Sequence, residues 1–125
     1  MKEWAALILL LLLLAAALVN VVYLDRLISE IEGELEAADL AAAEGNFREA
    51  ESRLDAAVSR WTAADSYTHI FLRHPEIDAA SDAFFELKQL LAEENAEGYP
   101  SALEKLIYHL QSIDEMEHVR LGSVL

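Results

Sequence analysis

One uninterrupted apolar run constrains this chain more than any other feature. From Trp4 to Leu24 the sequence WAALILLLLLLAAALVNVVYL contains no charged residue, and Asn20 is its single strongly polar side chain. These 21 residues would form a helix roughly 31 Å long, which matches the hydrocarbon core of a bilayer. The sequence therefore predicts a transmembrane anchor over residues 1–24.

A cleaved secretory signal is the alternative interpretation of the same run. Lys2 supplies a positive n-region, and Ala15 to Ala17 offer a small-residue cleavage site. However, the apolar run resumes directly after Ala17 and continues to Leu24, so no polar segment precedes that site. This continuity favours an uncleaved anchor over a signal peptide. A buried core helix is the least favoured of the three interpretations.

The charge of the chain excludes one class of partner. The 125 residues include 9 Lys or Arg against 23 Asp or Glu, and because Lys2 and Glu3 cancel, residues 25–125 carry the whole net charge of −14. Nucleic acid repels such a domain, so nucleic-acid binding is excluded. The absence of cysteine excludes disulfides, thiolate metal sites and cysteine nucleophiles.

Positive charge around the span gives an orientation. Lys2 lies before the apolar run, whereas Arg26 is the only cationic residue close behind it. The positive-inside rule then predicts a cytoplasmic N-terminus and an extracytoplasmic acidic domain, in a single-pass protein of the cell membrane.

Beyond the anchor, the apolar residues recur with helical spacing. A first stripe continues the membrane helix as one rod to about Glu44, where Gly45 and Asn46 provide a helix end and Glu49 completes a capping arrangement for the next helix. The stripe consists of Leu24, Ile28, Ile31, Leu35, Ala38 and Ala42.

Three further helices are expected. A second stripe begins at Phe47 and runs through Thr68 to Phe71; Pro75 then marks a turn into a third helix over about residues 76–94, and Ser101 is expected to cap a fourth. The fold is therefore predicted to be all-α, with the transmembrane helix continuing into a small bundle of two helical hairpins over residues 25–125. The expected large core residues are Trp61, Phe71, Phe84 and Phe85.

The histidines are the best candidates for chemistry. Asp65 and His69, and likewise Asp114 and His118, are four residues apart, so each pair can share a proton or a weak metal. Glu115 and His118 form one E-x-x-H element, but a di-metal bundle needs two. The serines and glycines form neither a nucleophile elbow nor a phosphate loop. We therefore predict no metal site, no cofactor and no catalytic residue.

The order of these features resembles a known family. A single span followed by EGNFREAESRLDAAVSRW, LRHPEID and ALEKLIYHLQSID is similar to the short bacterial proteins of domain-of-unknown-function family 4363. The resemblance implies an extracytoplasmic helical domain and a membrane-protein partner, with no established activity. The matching positions are Gly45, Asn46, Phe47, Trp61, His74, Glu76, Ile77, Asp78, Leu106, His109 and Ile113.

A looser likeness concerns the first hairpin. The stretch AAAEGNFREAESRLDAAV resembles a tetratricopeptide helix pair, and two such pairs are too few for a solenoid that stands alone. They would nevertheless present a concave face to another protein.

These features together predict an interaction or structural protein rather than an enzyme. The acidic domain is expected to dock on another membrane protein or on a second copy of itself. The alternative is an extracytoplasmic binding module for a small or cationic ligand or a weak metal. In either case we expect the contact surface to include Arg73, His74, His69 and His109.

Overall fold

The described residues of this protein form four α-helices. The computed structural model describes residues 2–64 and 74–124, and within these ranges the chain forms helices and the turns that join them, with no strand. The helices are α1 (Lys2–Ala43), α2 (Phe47–Ala63), α3 (His74–Ala92) and α4 (Tyr99–Val124). The predicted all-α class is confirmed, and α1 is long and apolar enough to span a membrane.

The first hairpin closes as its sequence predicts. Gly45 adopts a left-handed φ of 80°; its N–H donates to the Ala42 carbonyl at 3.0 Å, and the Asn46 N–H donates to Ala41 at 2.8 Å. This pair of bonds satisfies the last carbonyls of α1. Asn46 then caps α2, since its side-chain oxygen accepts from the Glu49 N–H at 3.2 Å.

The two hairpins meet through α1 and α4. α1 packs extensively against α2 and also against α4, and α4 packs against α3, whereas α2 and α3 touch over a small area. The apolar stripe predicted for α1 is buried along its whole length. The fully buried large residues at the centre of the bundle include Leu24, Ile31, Leu35, Leu54, Leu87, Leu91, Leu106 and Leu110.

Trp61 makes the main link between α2 and α3. Its indole N–H donates to the Ser81 hydroxyl at 3.2 Å, and its ring centroid lies 5.8 Å from that of Phe84. Trp61 and Phe84 are buried as predicted. The prediction for Phe85 is wrong, because its side chain is 70% exposed: neighbouring residues point about 100° apart on a helix, so both rings cannot face one core.

Two other predictions concern the ends of helices. α4 begins at Tyr99, so Ser101 lies inside the helix and does not cap it, which corrects that expectation. α2 ends at Ala63. The remainder of its predicted stripe, Thr68 and Phe71, lies outside the described residues.

Candidate functional site

The seam between α1 and α4 brings together three titratable side chains. His118 Nε2 lies 3.0 Å from Asp25 Oδ1 and 3.2 Å from Asp25 Oδ2. The same nitrogen is 3.7 Å from Asp114 Oδ1. We call Asp25, Asp114 and His118 the seam cluster.

Local structure explains how each member reaches the cluster. Asp114 and His118 are one turn apart on α4, so helical geometry alone places both on the face toward α1. Asp25 directly follows the buried Leu24 on α1. The sequence predicted the pairing of Asp114 with His118, and the structure shows it. Asp25 was missed, because it lies 93 residues from His118 and no local spacing connects the two.

The pKa values of the seam cluster are shifted in different directions. The pKa of Asp114 is raised to about 7, because burial disfavours its charged form and the neighbouring Asp25 adds a hydrogen bond and a like charge. The pKa of Asp25 is lowered, because Asp114 and His118 both hydrogen-bond to its charged form. The hydrogen bond to Asp25 raises the pKa of His118. Near neutral pH the cluster is therefore able to gain or lose a proton.

The donor set also suits a cation. One potential ligand atom from each of the three residues lies within 4.8 Å of the others. Carboxylate oxygen with imidazole nitrogen is a donor combination that divalent transition metals accept. Three ligands with an exposed imidazole would leave further coordination positions open to water.

A second polar contact involves Asn20, which lies inside the predicted transmembrane segment, five residues before Asp25. The Asn20 side-chain amide donates to Glu117 Oε2 at 2.9 Å. Glu117 is the buried charged residue among the side chains that the structure describes, with 5% of its surface exposed. Together with the seam cluster, this bond fixes the antiparallel register of α1 and α4.

Of the four predicted contact residues, His74 and His109 lie within the part of the chain that the structure describes. His69, Arg73 and the proposed partner Asp65 lie outside the described residues, and His74 is the first residue of α3. His109 is half-buried on α4, with its ring edge-on to Tyr108 at 5.8 Å between centroids. A common contact surface for the four predicted residues stays a prediction.

Sequence reasoning missed an open groove between α2 and α3. The groove has a volume of about 530 Å³, and it lies between two helices that touch over only a small area. Phe85 stands on its wall, largely exposed. The groove is lined by Glu51, Leu54, Asp55, Phe85, Lys88, Gln89, Leu91 and Ala92.

The comparison with protein families agrees with this architecture. The model of a domain of unknown function, DUF4363, matches residues 18–124, which takes in α1 from the end of its apolar run onward and all of α2, α3 and α4. The chain belongs to the DUF4363 family. The predicted resemblance is thereby confirmed, and the DUF4363 match begins two residues before Asn20, whose side chain hydrogen-bonds to α4. No curated protein matches the chain, and no solved structure does.

Proposed function

We propose that this DUF4363 protein is a membrane-anchored, non-enzymatic interaction protein. Its acidic helical domain docks, on the extracytoplasmic side of the cell membrane, against another membrane protein or a second copy of itself. The groove between α2 and α3, with Phe85 exposed on its wall, is the observation that carries this proposal.

The shape of the groove suits a helix. Two helices that diverge on either side of a shared core leave a channel, and an amphipathic helix laid into it would bury its apolar face. Leu54 and Leu91 supply an aliphatic floor, and Phe85 offers a large apolar ring that its own bundle leaves exposed. Exposed aromatic residues are frequent anchors of protein interfaces.

The charge of the groove points to a partner with some cationic character. Glu51 and Asp55 line the α2 side, and Lys88 on α3 lies 4.0 Å from Asp55, which it only partly neutralises. The domain as a whole has a net charge of −14. Complementary charge would speed encounter and select among partners.

Photo-crosslinking at the groove tests the proposal. A photoreactive phenylalanine analogue at Phe85 should form a defined adduct in native membranes, and Phe85→Asp should abolish copurification of the same partner in mild detergent. The matched control is the analogue at Tyr108, which is equally exposed on α4 and does not line the groove. Two differently tagged copies distinguish a homo-oligomer from a foreign partner. A monomer without adducts at Phe85 contradicts the proposal.

A second candidate function is favoured by the seam cluster, whose three donors converge from two helices. In this alternative the domain binds a divalent cation. Addition of Zn²⁺ or Mn²⁺ at millimolar concentration should raise the melting temperature of the wild-type protein. His118→Gln should remove that shift, whereas His109→Gln should retain it. An unchanged melting temperature with every metal tested excludes this alternative.

A further inference from the structure

The last turns of α4 run beside the apolar segment of α1. The bond from Asn20 to Glu117, together with the hydrogen bond between Glu32 and Gln111 further from the apolar run, shows that the two helices are antiparallel neighbours. Val124, the last residue of α4, lies seven positions beyond Glu117, so the helix continues for about 10 Å past that bond. It continues in the direction of the predicted span.

The exposed fractions of the α1 side chains reflect the packing of α4 against this helix. Residues 2–13 are all exposed, whereas Leu14 and Ala17 are partly covered and Val21 is buried. The spacing of these three residues places them on one face of the helix, the face that Leu24 continues into the bundle core. We infer that α4 shields that face as far as Leu14.

The length of the unaccompanied part of α1 then decides where the end of α4 lies. The ten residues from Trp4 to Leu13 extend for only about 15 Å, half of a hydrocarbon core about 30 Å thick. If α1 crosses a bilayer, the crossing must also include residues that α4 accompanies. A span bounded by the aromatic residues Trp4 and Tyr23 would be about 29 Å long, which fits the bilayer.

We propose that residues 119–124 of α4 are embedded in the bilayer leaflet on the side of the bundle, packed along α1. The proposal rests on the proposed transmembrane span of α1. The composition of the segment fits this location: Val119 and Leu121 are apolar, Val119 is 71% exposed, and Arg120 is the single charged residue after His118. Isolated arginines are tolerated where a chain reaches the headgroups.

The depth of insertion is limited by the end of the helix. The last four carbonyls of an α-helix lack intrahelical partners, and leaving them unsatisfied in hydrocarbon is costly. With a span from Trp4 to Tyr23, Val124 lies level with about Leu13 of α1, roughly 15 Å below Tyr23, so the leaflet must thin locally and water must reach the last carbonyls of α4. Asn20 and Glu117 then lie about 4 Å inside the Tyr23 level, and the seam cluster lies just outside that level.

The absence of native cysteine allows a direct test with single spin labels. The full-length protein carrying Gly122→Cys is labelled and reconstituted in vesicles of phosphatidylcholine and phosphatidylglycerol. A side chain at Gly122 meets no atom within 4 Å, so the label should not disturb the fold. Tyr108→Cys, on the same helix about 21 Å nearer the loop, is the aqueous control, and Leu9→Cys is the membrane control.

The proposal expects the labels at positions 122 and 9 to lose collisions with an aqueous nickel chelate and to gain collisions with oxygen, while position 108 shows the opposite. If position 9 is shielded but 122 is as accessible as 108, the embedded end is overturned and the span stands. If position 9 is accessible to nickel, the span itself fails and the present inference fails with it. Val119→Cys provides a second reporter should the label at position 122 impair folding.

Discussion

The seam cluster makes the stability of this protein depend on pH. The pKa of Asp114 is raised in the folded state to about 7 from 3.8, so between these values the folded protein binds more protons than the unfolded chain, and stability falls as pH rises. His118, whose pKa in the folded protein is also raised by its hydrogen bond to Asp25, acts in the same direction above pH 6.5, the ordinary pKa of histidine. Asp25 has a lowered pKa and acts oppositely, but only below about pH 4.

We therefore expect the melting temperature in detergent micelles to fall between about pH 4.5 and pH 7 through Asp114, and to go on falling above pH 6.5 through His118. Asp114→Asn keeps a neutral, hydrogen-bonding side chain beside Asp25, so it should stabilise the protein at pH 8.5, by on the order of 1 kcal/mol, and flatten the profile. Glu115→Gln, which removes an exposed charge next to Asp114, should leave the slope unchanged. An equal effect of both variants would show that net charge, and not the cluster, sets the slope.

The buried Glu117 gives a second test at this scale. Glu117→Ala removes a buried acceptor and its 2.9 Å hydrogen bond with the Asn20 amide, so we expect a loss of about 1–3 kcal/mol in the free energy of unfolding. Glu117→Gln keeps an acceptor oxygen and should lose less. Denaturant unfolding followed by circular dichroism measures both, with Glu115→Ala as the surface control. A negligible effect of Glu117→Ala would mean that water replaces the bond.

These side chains also show how far a sequence predicts a site. Asp114 and His118 were predicted to interact because helical geometry alone brings residues four apart together. Asp25 and Asn20 contribute through the packing of α1 on α4, and their partners are 93 and 97 residues away. Periodicity identifies which face of each helix is buried, but it does not give the register between two helices, so the complete seam could not be predicted.

At the level of the helices, the two glycines of α1 and its turn have opposite expected effects. Gly33 lies inside α1, and a Cβ there meets nothing within 4 Å, so Gly33→Ala should stabilise the helix by about 0.5–1 kcal/mol. Gly45→Ala forces a left-handed φ on a residue with a Cβ, so it should destabilise by about 1–2 kcal/mol. Thermal denaturation of the two variants checks the pair. Loss of stability in both would indicate that Gly33 serves another contact.

The second hairpin shows why helix ends differ in predictability. α3 ends with the same bonds as α1: the Glu94 N–H donates to Leu91 at 3.0 Å, and the Asn95 N–H to Leu90 at 2.9 Å. The left-handed residue is Glu94, with a φ of 53°. After α1, the glycine at position 45 predicted this left-handed helix end from the sequence. Glutamate gives no such signal after α3, and the expected helix therefore ran two residues too far.

Over the whole molecule, α1 determines the arrangement. Its apolar stripe predicted a rod that leaves the membrane and enters a bundle, and the structure shows one helix of 42 residues with that stripe buried. The helices and the first turn followed from local sequence. The open groove did not, because it depends on how closely α2 and α3 approach. The wrong placement of Phe85 had a local cause, the angle of about 100° between neighbouring side chains on a helix.

The excess of acidic residues leads to a final prediction about salt. A domain with a net charge of −14 repels itself, and this repulsion is screened at high ionic strength. Salt also weakens the attractive pairs, such as Arg60 with Glu30 at 2.7 Å and Arg53 with Glu34 at 3.4 Å. These pairs are at least partly exposed, and such pairs contribute only about 0–1 kcal/mol each.

Repulsion among many unpaired carboxylates should outweigh these few pairs. We therefore expect the melting temperature to rise between 20 mM and about 500 mM NaCl, where the screening length shrinks from roughly 20 Å to about 4 Å. Arg60→Gln removes one attractive pair and increases the net negative charge, so it should steepen the rise. A melting temperature that falls with salt would show that the ion pairs between α1 and α2 stabilise the bundle more than the overall charge destabilises it.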